Sequence, residues 1–441
     1  MKPTPTPAAD RPPRVVVAGV GLVSPLGLGA WPTFSALLAG RTVADRLDKL
    51  EPDTPAVALA QAVGGIAAVR HTATDPVVDL AERAAREAAA EAGVGLAGLP
   101  TWVGTSKGAV CGISDWGCRI ERTSSLSKPS DLGQTELPRR LVESVTLGPH
   151  GYLSHHLTQR TGIQVRRHTV AACASSLTAL HQARLALLGP KSDGSDSERV
   201  RSIPNPQSAL VVTAESALLP LFVHSYRRLG VLAPLNVDGY RARPLDEGRC
   251  GFVLGEVGAA VLLRRLDPGD TFPKGAIELV DSAVACEAED LIRPSRSMQA
   301  LGVVASQLVA GRPIAAVHPH APGTAEHDAA ELRLLGDVLR QRQHPFHEEH
   351  HAGPTPTAVY ASKGALGHTL GAAGLVSFVI ACLSARTGKL PPMPWLETPL
   401  RGAPMPLSAT PTLPAGDRRG HLVVAAGFGG HVAGALVRRA S

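Results

Sequence analysis

Cys173 ends a strand-like run, 165–172 (VRRHTVAA), and opens an amphipathic helical pattern, ASSLTALHQARLALL, that stops near Gly189-Pro190. A thiol at such a junction gains two things. The unpaired amides and positive end of the helix favour the thiolate. The cysteine's own amide can point at the oxygen of a bound thioester. Such a group could accept an acyl chain thioester for thioester, nearly isoenergetically. A lone cysteine is equally read as a buried structural residue, since free Cys is among the most buried types. The choice turns on three further segments: VHPHAPGTAEHDAAE, SKGALGHTLGAAG and GFGG.

Taken together, these segments make the chain resemble a β-ketoacyl-acyl-carrier-protein synthase of the elongating, Cys-His-His kind. Around Cys173 the sequence is similar to T-A-C-A-S. His320, Thr324, Asp328 and Glu331 match H-G-T-G-T with its following Asp and Glu. Lys363, Gly367, His368 and 371–374 match K-S-x-x-G-H-x-x-G-A-A-G. GFGG at 427–430 resembles G-F-G-G-T-N. Between them, RPLD (243–246) and RCGF (249–252) resemble R-P-F-D and R-D-G-F, and the opening VVVAGVGLVSPLG matches too. The resemblance runs from about residue 14 to about 439, and the motifs keep the family's order.

The resemblance implies a decarboxylating Claisen condensation in fatty acid or polyketide-type biosynthesis. Cys173 would carry the acyl group. His320 and His368 would meet the enolate left when malonyl thioester loses carbon dioxide, because such charge needs preorganised donors. The amides of Cys173 and Phe428 would hold the second oxyanion, and Phe428 would gate the acyl channel. Lys363 would act electrostatically beside the histidines. Asp328 and Glu331 would hold the loop. Thr324, Lys107 and Gly429 are the expected substrate contacts. Arg228, with Arg139 and Arg140, is the expected docking surface for an acyl carrier protein. No cofactor and no metal are expected, since the phosphopantetheine arm belongs to the carrier substrate. A homodimer is implied by resemblance.

Several residues depart from the pattern. Ala321-Pro322 replace Gly-Thr after His320, which removes one hydroxyl. Ser377 stands where relatives often have Glu, so the carboxylate partner of Lys363 is open. His431-Val432 replace Thr-Asn after GFGG. Lys107, in GTSKG, stands where a small or apolar residue is usual beside the acyl pocket. An ammonium facing an apolar tunnel is costly without a partner. Lys107 is expected either to turn outward or pair with Asp115 or Glu215, or to meet a polar acyl chain. Two rival functions stay open: an acyltransferase or thioesterase on the same scaffold, and a non-catalytic partner resembling a chain-length factor. The latter typically lacks the cysteine. A thiolase is disfavoured because its second, C-terminal cysteine motif is missing.

The elements that must position these residues are legible as strand runs at 14–19, 101–104, 208–214, 258–264, 276–284, 314–317, 358–361 and 421–426. A helix is expected over 75–92, with Asp75 as N-cap and Gly93 as stop. This alternation argues for α/β layers. The resemblance implies the thiolase fold, two pseudo-symmetric α/β halves in a five-layered αβαβα arrangement. The expected division is a disordered tail at 1–13, a nucleophile half at 14–267 and a histidine half at 268–441, although no internal repeat is visible. Polar insertions are expected at 191–207 and 340–357.

The 441 residues are 44% hydrophobic but only 3% aromatic, which leaves little for stacking on nucleic-acid bases. Six cysteines without a C-x-x-C pair suit a reduced, cytoplasmic protein. The N-terminus has no apolar signal-like region, and the run 371–385 reads as too short to cross a bilayer. The net charge of +6 suits an acidic partner such as a carrier protein.

Overall fold

The computed structural model describes residues 12–43, 76–109, 136–189, 205–218, 220–233, 242–287, 289, 297–343 and 356–440; side chains at 136–145, 220–221 and 342–343 are not included. Asp75, Asp115, Cys111, Cys118 and most of both expected insertions lie outside these residues.

The first half runs β1 (Arg14–Ser24), α1 (Ala30–Leu38), α2 (Pro76–Glu91), β2 (Pro100–Gly104), α3 (Glu136–Thr161), β3 (Gln164–Thr169), α4 (Ser175–Leu188), β4 (Ser208–Ser216), α5 (Pro220–Arg228) and β5 (Glu256–Leu266). The second runs β6 (Ile277–Cys286), α6 (Gln299–Val309), β7 (Ile314–His318), α7 (His327–Gln343), β8 (Ala358–Val359), α8 (Ala373–Thr387), β9 (Gly420–Ala426) and β10 (His431–Arg439). The strand order is β3-β2-β4-β5-β1 in one half and β8-β7-β9-β10-β6 in the other. Ranked along the chain, the two orders are the same. The parallel and antiparallel pairings repeat as well. A short antiparallel contact, Val16↔Glu278 and Val17↔Ile277, joins the halves. The link 267–276 separates them.

The layering explains the composition. Outer helix α2 buries Val77, Val78, Leu80, Ala81, Ala84, Ala85, Ala88 and Ala89, one apolar stripe at helical spacing. Central helices α4 and α8 touch each other and both halves of the sheet. Accordingly α8 is buried on all sides from Ala373 to Ala385. A helix apolar all round belongs in such a middle layer. Strand β1 packs close under α2: a Cβ on Gly19 or Gly21 would fall 2.0 Å from the Ala88 or Ala84 carbonyl oxygen. Close backbone approach therefore replaces aromatic bulk as the way the layers are filled.

Two sequence expectations need correction. Leu370–Thr387 is a continuous helical stretch of 18 residues with mean hydropathy 1.6, long enough to cross a membrane. Burial, not length, distinguishes it: 89% of the window lies inside the protein. The strand expected over 165–172 ends at Thr169, because the chain must turn sharply before the helix. Strand β10 was not foreseen; it follows GFGG and completes a hairpin with β9.

Candidate active site

The nucleophile turn is built by Ser175. Its Oγ accepts a hydrogen bond from the Ala171 amide at 2.8 Å and donates to the Ala172 carbonyl at 2.6 Å. Ala172 has φ +46, a left-handed conformation uncommon for a residue with a side chain. That kink delivers Cys173 just ahead of α4. The GFGG hairpin of the other half presses against it. A Cβ on Gly427 would lie 2.8 Å from the Cys173 nitrogen and 3.0 Å from the Ala171 oxygen, so only glycine allows this approach.

His320 follows β7 on a loop held by two buried acids. Glu331 accepts from the His320 and Ala321 amides at 2.6 and 2.7 Å. Asp328 accepts from the Gly323 and Leu245 amides at 3.0 and 2.9 Å. Arg249 adds donations to the Thr324 and Ala325 carbonyls at 3.2 and 2.8 Å. His368 follows the short helix Lys363–Leu366, and its amide donates to the Val253 carbonyl at 2.5 Å. Its ring stands edge-on to Phe252 at 4.8 Å and to His320 at 5.4 Å. Cys173 Sγ and one ring nitrogen from each of His320 and His368 lie within 4.8 Å of one another. The same three groups have the composition of a metal-binding set; they also suffice as a nucleophile with two hydrogen-bonding rings.

Electrostatics alter one sequence expectation. Burial pushes the Cys173 thiol up to about 11, with Glu215 adding to the rise and Lys363 and Lys107 opposing it. Burial therefore favours the thiol, against the thiolate expected from the helix end. Its proton must leave as sulfur attacks. Burial first, then the Lys363 ammonium, holds both His320 and His368 well below the ordinary histidine value. Both rings are neutral, and their buried Nδ1 atoms have no hydrogen-bond partner. A buried orphan acceptor is more readily tolerated than an orphan N–H. We therefore assign the proton of each ring to Nε2.

Lys363 is buried, and its Nζ donates to the His320 carbonyl. Burial draws it down to about 8, against the opposing influence of Glu331, Cys173 and Asp328. The carboxylates near this lysine are thus the loop acids, while Ser377 hydrogen-bonds Ser362 at 2.8 Å. For Glu331, burial alone would raise the carboxyl; His327 and the Ala321 and His320 amides outweigh it and hold it below its usual range.

A cavity of about 850 Å³ opens onto Cys173, His320, His368, Thr324 and Phe428, with Arg228 also on its wall. Arg228 is exposed at the end of α5. Arg139 and Arg140 belong to α3, but their side chains are outside the described set. Gly429 and Lys107 do not line this cavity. Gly429, at φ +78, serves the turn. Lys107 lies over the Phe222 and Tyr226 rings, 5.6 and 5.8 Å from their centroids. Glu215 lies nearby, fully buried, and accepts from the Ser106 amide. Burial raises Glu215 to about 7 against the opposing Ser106 and Lys107. The two aromatic rings lie against the lysine, and Glu215 is close enough to feel its charge. Sequence reasoning missed His327, Arg249 and Phe252 as parts of the site. Only the histidine directly before Asp328 could have drawn notice to His327.

Comparison with known proteins agrees with this geometry. The chain is 24% identical over 409 residues to 3-oxoacyl-acyl-carrier-protein synthase 2 of Coxiella burnetii, covering 88% of this chain and 90% of the relative. It is 26% identical over 414 residues to a protein assigned as a mitochondrial 3-oxoacyl-acyl-carrier-protein synthase in Schizosaccharomyces pombe, covering 86% and 88%. Among solved structures, a type II polyketide ketosynthase in complex with its acyl-carrier protein superimposes with TM-score 0.73 at 18% identity, covering 98% of this chain and all of the other. The ketosynthase from module 6 of the bacillaene synthase of Bacillus subtilis gives 0.69 at 18% identity, over 97% of this chain and 72% of that one. These structures share the thiolase fold. Residues 13–194 match the β-ketoacyl synthase N-terminal domain and residues 278–397 match the β-ketoacyl synthase C-terminal domain, so the chain belongs to the β-ketoacyl synthase family.

Proposed function

We propose that this protein is a β-ketoacyl synthase that joins an acyl group held on Cys173 to a malonyl extender delivered by an acyl carrier protein. The observation that carries the reading is the convergence of one thiol and two neutral imidazoles within 4.8 Å at the floor of one cavity. In loading, the Cys173 sulfur bonds to the acyl carbon as its proton leaves. The carrier's carbon–sulfur bond then breaks, and its thiolate takes the proton. In condensation the extender's carbon–carbon bond breaks and carbon dioxide leaves. The electron pair enters an enolate whose oxygen accepts hydrogen bonds from His320 and His368. The enolate carbon then attacks the acyl carbonyl and expels Cys173.

The reading needs no resident cofactor or metal; the phosphopantetheine arm arrives with the carrier. Arg228 at the cavity mouth and the net charge of +6 support an acidic carrier docking there. A homodimer is supported by β3, which ends the sheet and leaves that edge without a strand partner among the described residues. Sheet edges of this kind favour strand-to-strand association. A cytoplasmic location accompanies this reading. Intact-mass analysis after exposure to acyl carrier proteins tests it. An acyl adduct mapped to Cys173, followed by carbon dioxide release and a β-ketoacyl product with malonyl-carrier protein, is expected. Acylation followed by hydrolysis alone would instead support the thioesterase reading.

A further inference from the structure

A third histidine stands beside the pair that the condensation uses. His327 is the first residue of α7, and its side chain is 6% exposed. Its ring meets the His320 ring edge-on at 5.2 Å and forms part of the cavity wall. The buried Nε2 makes no hydrogen bond, yet it lies 3.4 Å from Glu331 Oε2. Glu331 also accepts the His320 and Ala321 amides, so the ring and the loop share one carboxylate. The other charged groups near the ring are Lys363 behind His320, Asp328 on the same helix turn and Glu326 on the cavity wall. Asp328 is already occupied by the Gly323 and Leu245 amides. A carboxylated substrate entering this cavity therefore meets an imidazole, backed by an acid, beside the site of enolate formation.

We propose that His327 recognises the carboxylate of the malonyl-type extender and seats it beside His320 before carbon dioxide leaves. The inference rests on the condensing reading above. His327 transfers no proton and forms no bond in this role. Its contact is with the ground state and disappears as the carbon–carbon bond breaks. Binding confined to the ground state lowers KM without raising kcat. Hydrogen bonds to charged groups contribute about 1.5–3 kcal/mol, so loss of this one corresponds to roughly a tenfold or greater change.

The test uses His327→Asn and His327→Gln in the full-length protein, with the same carrier bearing malonyl or acetyl. On a Cys173→Ala background, which prevents acyl transfer, the preference for malonyl- over acetyl-carrier protein should fall roughly tenfold in both variants. In the active enzyme, KM for malonyl-carrier protein should rise to a similar extent, kcat should not fall, and acyl loading of Cys173 should be unchanged. Loading also reports that the variants are folded. An unchanged malonyl preference, or a fall in kcat with KM constant, would overturn the proposal. So would a loss of loading equal to the loss of condensation. If the unaltered protein releases no carbon dioxide from malonyl-carrier protein, it is the condensing function that fails. If it releases carbon dioxide but binds both carriers equally, only the role of His327 fails.

Discussion

The two halves of this protein share a frame and differ in what they hang on it. In the first, the carboxyl ends of parallel strands β2, β3 and β4 lead to Lys107, Cys173 and Glu215. In the second, the matching ends of β7, β8 and β9 lead to His320, then Lys363 and His368, then Phe428. The connection from β3 to α4 is short and kinked, placing one thiol at a helix start. Its counterpart from β8 to α8 is long enough for two further helical turns, and it carries a lysine and a histidine. One half offers a nucleophile and a buried acid, the other a pair of neutral donors. Chemistry requires both, and the link is physical: the Leu375 amide of α8 donates to Ser176 Oγ of α4 at 3.0 Å. The frame was reused, and the loops diverged.

This division of labour predicts which half-reaction each side controls. The largest effect is expected from the second half. His320→Ala and His368→Ala should still take up acyl groups on Cys173 but should lose roughly a hundred- to a thousandfold in carbon dioxide release, the usual loss for one oxyanion donor. Single-turnover loading and carbon dioxide assays separate the two steps. Equal damage to both would show that the halves do not divide the chemistry this way.

A smaller effect belongs to the first half. The Glu215 carboxyl is raised from about 4.5 to about 7 by burial. The folded protein thus holds a proton that the unfolded chain has released between these values. Its contribution to stability is complete below about pH 4.5 and is lost as pH rises through 7. Relative to Glu215→Gln, the unaltered protein should therefore lose stability across this window, by up to roughly 1.4 kcal/mol per pH unit crossed. Urea unfolding of both proteins at matched pH values checks the sign. Parallel curves would mean that Glu215 is ionised in the fold and stabilised by Lys107.

The smallest effect lies at the cavity mouth. Arg228→Glu should weaken carrier binding a few-fold, mainly by slowing association, because exposed charges act weakly and at long range. Stopped-flow association at several salt concentrations measures it. A rate insensitive to both the reversal and salt would place the docking surface elsewhere.

Much of this site was legible as motif. Cys173, His320, His368, Lys363, Asp328 and Glu331 were all named from local patterns, and the structure brings them together. Others were not. Ser175 closes the T-A-C-A-S pattern, yet the pattern alone did not show that its hydroxyl shapes the nucleophile turn. Arg249 reaches the Thr324 carbonyl across 75 residues of chain. The partner of Lys363 could not be read from Ser377, because the carboxylates near it come from a different loop. Lys107 left two arrangements open in sequence; the Phe222 and Tyr226 rings from another element lie against it.

The sequence by itself determined the residue types and the local geometry: a cysteine where a strand turns into a helix, histidines on glycine-bounded loops, and strands dense in Val and Ala. Those properties depend on neighbours within a few residues, where periodicity and turn chemistry act. Only the tertiary structure decided the duplication of the frame, the protonation of the site and the role of the third histidine. The repeat is invisible in sequence because one apolar strand can replace another without preserving any residue. Burial favours the thiol because desolvation depends on everything packed around it, whereas the helix end is a local influence. His327 became part of the site because two loops from one half fold against the cysteine of the other.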